Sequence, residues 1–94
     1  MAETEQALQV HVTGRVQRVG FRAWTQAQAE RLGLHGWVRN ERDGSVRALI
    51  VGPEAAVTAM LLLLREGPRG AVVSDVVTEA VEPGAASPGF AITG

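Results

Sequence analysis

The sequence predicts an α+β chain that runs strand, helix, strand, strand, helix, strand and closes on one short extra strand. Three observations carry that reading. Leu8, Val10 and Val12 alternate with Gln9, His11 and Thr13, the two-residue period of a strand with one buried face. Two later stretches, Phe21 to Leu32 and Glu54 to Glu66, instead repeat apolar residues at three- and four-residue steps, the period of a helix with one buried stripe. Between those helices Asp43-Gly44 separates two further strand-like runs, a strong hairpin signal.

The elements follow in order. Residues Met1 to Gln6 are polar and unpatterned and are expected to form a flexible tail, with one domain over residues 7–94. Gly14 ends the first strand. In the first helix Phe21, Trp24, Gln28 and Leu32 fall on one stripe with Ala27 beside them, while Gln26, Glu30 and Arg31 face water and Gly33 stops the helix. Leu34 to Asn40 is a second strand with Trp37 as its main buried group. Ser45 to Val51 is a third, with Val46, Ala48 and Ile50 on one face and Arg47, Leu49 and Val51 on the other.

Gly52-Pro53-Glu54 opens the second helix, because proline suits a first turn and glutamate suits the positive end of the helix dipole. Its inward stripe is Val57, Met60, Leu61 and Leu64, widened by Leu62 and Leu63, and Gly67-Pro68 ends it. Ala71 to Val81 is a valine-rich fourth strand. Val73, Val77 and Val81 share a face with Asp75 and Glu79, so a bend or bulge is expected near the acids. Pro83 to Gly89 reads as a loop, and Phe90 to Ile92 as a short strand at a sheet edge. Two βαβ halves joined by a hairpin give an antiparallel sheet with both helices on one face, the ferredoxin-like sandwich.

Composition narrows the function classes. The chain has 94 residues, enough for one domain with a modest core, and 46% of them are hydrophobic. It has no cysteine, so disulfides, thiolate chemistry and zinc–thiolate sites are excluded. All nine of its Lys+Arg residues are arginine, which excludes a catalytic lysine. A net charge of −1 argues against a nucleic-acid partner. No signal peptide is visible and the apolar run Ala59 to Leu64 is too short to span a bilayer, so no membrane partner and a cytoplasmic location are expected. His11 and His35 lack ligand-spaced partners, so no metal site is expected and both read as structural or surface residues.

The chemistry gathers in Gly14-Arg15-Val16-Gln17-Arg18-Val19-Gly20-Phe21-Arg22, between the first strand and the first helix. A loop there aims consecutive backbone N–H groups at one point, where the free N–H groups of a helix start add partial positive charge. Arg22, in the first turn, can curl its guanidinium over the loop mouth and make paired hydrogen bonds to a phosphate. The second strand is expected near the first in the sheet, bringing Asn40 and its donor–acceptor amide close to the loop.

These residues resemble the acylphosphatases. Gly14-Arg15-Val16-Gln17 with Val19, Phe21 and Arg22 is similar to the family's G-x-V-Q-G-V-x-F-R, and Gly36-Trp37-Val38-Arg39-Asn40 with Asp43-Gly44 to its second pattern, a strand running into a D-G turn. The resemblance spans nearly the whole chain. It implies the ferredoxin-like fold and hydrolysis of acyl phosphates to a carboxylate and inorganic phosphate, with no cofactor or metal. It also implies a phosphate-binding Arg22, a water-orienting Asn40, and phosphate-cradling amides from Arg15, Val16, Gln17, Arg18 and Val19. The implied partners are the small-molecule acyl phosphate and phosphate; a monomer is expected, with the edge strand Phe90 to Ile92 leaving dimerisation open.

One position departs from the pattern. The family has glycine where this chain has Arg18. If that position needs a positive φ, a side chain there costs roughly 1 kcal/mol or more; either the loop avoids that angle or the strain is absorbed. Glu41, next to Asn40, adds negative charge near the mouth. Two rival readings stay open. An RNA-binding module shares this topology but needs exposed aromatics on its central strands. A non-catalytic anion-binding or regulatory module would keep the cradle without turnover; similar domains also begin larger hydrogenase-maturation carbamoyltransferases.

Overall fold

A computed structural model describes residues 4–85 and 88–94. Its strands are β1 (Glu5–Arg15), β2 (His35–Asn40), β3 (Val46–Pro53), β4 (Val72–Ala80) and β5 (Phe90–Ile92), and its helices α1 (Phe21–Arg31) and α2 (Glu54–Glu66). The sheet order is β4-β1-β3-β2-β5. Four strands pair antiparallel, and β5 adds parallel to β2 at the edge. β3 therefore lies between β1 and β2, which are near one another but not paired. β1 begins at Glu5, inside the stretch read as tail; residues 1–3 of that tail and residues 86–87 of the expected loop lie outside the described residues.

Both helices cover one face. Phe21, Val57, Met60 and Leu64 meet Val10, Val12, Val38, Val46, Ile50, Val76 and Phe90 in one buried cluster. Burying such side chains stabilises by roughly 1.5–3 kcal/mol each. α1 is rotated from the expected stripe and buries Phe21, Thr25 and Ala29. Small side chains at Thr25 and Ala29 leave the helix close to the sheet, with no room there for Trp24. The indole instead lies at the core's edge against Phe21, ring centroids 5.5 Å apart in an edge-to-face contact. Gln28 faces outward and accepts hydrogen bonds from Arg31; Ala27 is exposed. Gln26 does not face water alone, because its Nε2 donates to the Phe90 carbonyl at 3.0 Å and ties α1 to β5. In α2, Val57, Met60 and Leu64 are buried as expected, whereas Leu62 points outward.

The main buried residue of β2 is Val38, not Trp37. Trp37 sits on the sheet's other face, packed against Ala7, Leu49 and Val51 and capped by the Arg39 guanidinium 4.7 Å from its ring centroid. Strand alternation decides this, since Gly36, Val38 and Asn40 take the helix-covered face. Gly36 itself is required: with φ 135°, a Cβ there would lie 1.8 Å from the Leu49 carbonyl oxygen. The expected irregularity in β4 is present as a register shift, Thr13 opposite Asp75 but Gly14 opposite Val73. It skips Ser74 and lets Val73 and Val76 both reach the core, while Val77 turns to the open face.

Candidate active site

β1 ends at Arg15, and residues 16–20 form the loop that enters α1. Val16 is fully buried and anchors the loop in the core, and Val19 packs against the same cluster. Between them Arg18 takes φ 64°, so the position does require the left-handed angle despite its side chain. Gly20, the residue before α1, is also left-handed at φ 74° and offers no side-chain cap. Such alternations turn successive N–H groups into one concavity. Among the described residues, no group accepts a hydrogen bond from the N–H of Gln17, Arg18 or Val19. The adjoining pocket, about 240 Å³, is lined by Val16, Gln17, Arg18, Gly20, Phe21, Arg22, Ala23, Asn40 and Ile92. Of the five expected cradle residues, Val16, Gln17 and Arg18 line it. Arg15 is an exposed strand end opposite Val72, and the Val19 side chain packs toward the core while its N–H has no acceptor among the described residues.

Arg22 and Asn40 are brought together at this pocket. Arg22 is half-buried and lines the pocket, and its Nη1 donates to the Gly94 backbone oxygen at 3.1 Å. Asn40 reaches the loop although β3 intervenes. Val46 stands opposite both Val12 and Asn40, so these three form one cross-strand row on the helix-covered face. That row places Asn40 about 10 Å across the sheet from Val12, just below the loop. The Asn40 Oδ1 is buried and has no hydrogen-bond partner.

Three residues make side-chain contacts around the site that no sequence pattern announced. The side chain of Gln17, beyond its expected backbone role, donates from Nε2 to the carbonyls of Glu41 (2.7 Å) and Ser45 (2.9 Å), clamping the loop to the β2–β3 turn. Ser45 is buried; its N–H and hydroxyl both donate to Asp43 Oδ1, at 2.9 and 2.5 Å. His11, from β1, lies with Nε2 2.7 Å from the same hydroxyl. The Ser45 hydroxyl, then its backbone N–H, hold the exposed Asp43 carboxyl below its ordinary range. The feature that reveals these contacts is chain reversal at the turn, which no sequence period reports. Glu41 does not charge the mouth as expected. Its Oε1 accepts from Arg39 Nε at 2.8 Å and lies 3.5 Å from Arg47 Nε, so two cations on the sheet's open face hold its charge.

Comparison with known proteins gives this site its family. The acylphosphatase family's sequence model matches residues 8–92. The chain is 55% identical over 93 residues to an acylphosphatase of Rhizobium meliloti, covering 99% of this chain and 98% of that one. It is 52% identical to an acylphosphatase of Rhizobium etli over the full length of both. The crystal structure of acylphosphatase from Bacillus subtilis superposes with a TM-score of 0.90 at 33% identity, covering 94% of this chain and 98% of that one. With its α+β sandwich, its loop of free amides beside Arg22 and this likeness along its length, the chain belongs to the acylphosphatase family, a family of enzymes.

Proposed function

We propose that the loop amides of residues 16–19, Arg22 and Asn40 carry out the family's reaction here, the metal-independent hydrolysis of an acyl phosphate to a carboxylate and inorganic phosphate. The phosphoryl group lies in the concavity, where the free N–H groups and the Arg22 guanidinium take its equatorial oxygens. Phosphoryl transfer needs little more than positioning and charge stabilisation of this kind. The attacking water donates one proton's hydrogen bond to Asn40 Oδ1, leaving a lone pair for in-line attack on phosphorus. The P–O bond to the acyl group breaks as the new P–O bond forms, and a phosphoryl oxygen takes the water's proton. The leaving carboxylate, whose conjugate acid has a pKa of about 4, departs without a general acid.

The observation that carries this reading is the orphaned Asn40 Oδ1 in the wall of the pocket that Arg22 also lines. A buried acceptor left alone costs about 1–3 kcal/mol, and a water held there removes that cost while standing beside the phosphoryl site. The reading includes a monomeric cytoplasmic enzyme with a small-molecule substrate and no nucleic-acid partner. Asp75 and Glu79 along the free edge of β4 support the monomer, since charged edges resist strand pairing. The test is hydrolysis of benzoyl phosphate in EDTA. Turnover persists in the native chain, falls at least about a hundredfold in Arg22→Ala, and falls mainly in kcat in Asn40→Ala. Full turnover by Asn40→Ala overturns the water-holding role; phosphate binding without native turnover returns the non-catalytic reading.

A further inference from the structure

We infer that His11 is a positioning residue for hydrolysis, acting from the far side of the sheet through Ser45 to hold the turn that follows Asn40. The inference rests on the role proposed above for Asn40. β1 alternation puts Val10 and Val12 in the helix-covered core and His11 on the open face, opposite Arg47 on β3 and Val77 on β4. From there its Nε2 lies 2.7 Å from the buried Ser45 hydroxyl. Proton counting sets the direction of that bond. A serine hydroxyl has one proton, and Ser45 gives it to Asp43 Oδ1, an ionised carboxylate that only accepts. The His11 bond must therefore run the other way, with Nε2 carrying the proton and donating to Ser45 Oγ.

This donation completes a clamp on one residue. The Ser45 carbonyl accepts from Glu41 N–H at 2.9 Å and from Gln17 Nε2 at 2.9 Å. Ser45 is thus held by β1 from the open face, by the phosphate loop from the pocket side, and by Asp43 within the turn. What it holds in return is the residue directly after Asn40. Asn40 makes no side-chain hydrogen bond that would fix its own Oδ1, so its aim depends on this backbone frame. Phosphate, by contrast, is gripped by loop amides and Arg22, which His11 does not touch. Loss of the His11 donor therefore slows the chemical step and leaves phosphate binding intact.

The test compares His11→Leu, which removes the donor, with His11→Gln, which keeps an Nε2 donor at a similar reach. Asn40→Ala serves as the control for the underlying reading. Expected for benzoyl phosphate is a fall in kcat of about fivefold in His11→Leu, the value of one net hydrogen bond. KM and inhibition by inorganic phosphate stay within about twofold, and His11→Gln recovers most of the loss. Unchanged kcat in His11→Leu, an equal change in KM, or no recovery in His11→Gln overturns the inference, provided Asn40→Ala is impaired. An active Asn40→Ala instead removes the reading beneath it. Nitrogen-15 NMR of the native chain tests it without any variant: the His11 ring must be protonated at Nε2, and a ring protonated only at Nδ1 overturns it.

Discussion

Arg18 holds a backbone angle that costs an L residue roughly 1–2 kcal/mol, and it does so in the middle of the cradle. The sequence located the departure from the family's glycine; only the structure says that the left-handed angle was kept. The strain is tolerated because Val16 and Val19, on either side, are seated in the core, so the loop's path is set by its anchors. Arg18→Gly is expected to raise stability by about 0.5–1 kcal/mol, the relief of strain less the entropy glycine adds to the unfolded chain, as read from the midpoint of urea unfolding. That Arg22 and Asn40 would meet at one pocket was legible because motif and chemistry both point to them. His11 and Ser45 were not, since a histidine and a serine far apart in sequence announce nothing until the turn folds back.

At the level of elements, the β2–β3 turn carries more of the site than its Asp-Gly signal suggested. Gln17 spans from the loop to two carbonyls of that turn. Gln17→Leu keeps the loop's backbone N–H groups but cuts the clamp, and is expected to lower kcat/KM by about tenfold; steady-state kinetics check it. Asp43 gives the turn a pH dependence of known sign. Its folded-state carboxyl titrates below the unfolded one, so its contribution is present above the ordinary carboxylate range and is lost as pH falls through the folded value, below about pH 4. A comparison of melting temperatures between the native chain and Asp43→Asn should show the native advantage vanish over that acid window. Elements were well predicted by period and punctuation, and their inward faces less so. The rotation of α1 and the placement of Trp37 depend on how much space a neighbour leaves, which hydrophobicity alone does not encode.

Over the whole molecule, the order of elements sufficed for the sandwich and for one helical layer. It did not give the sheet order, because pairing between distant strands is a matter of geometry after collapse. Gly36 is where that geometry is tightest. Gly36→Ala drives a Cβ into β3 and is expected to cost more than about 3 kcal/mol, visible as a loss of the cooperative thermal transition. No helix among the described residues is long and apolar enough to cross a membrane.

The central position of β3 has a kinetic consequence. The pocket loop leaves β1 and Asn40 ends β2, and in the sheet β3 lies between those two strands. The β2–β3 hairpin is local and closes on a scale of microseconds. The β1–β3 pairing spans the first half of the chain and waits on a costly loop closure, as do all non-local ladders. No partly folded species with the hairpin alone possesses a site. During refolding from urea, recovered hydrolysis should follow the slowest cooperative phase with no earlier burst. Activity is thus a clock for the completion of the sheet.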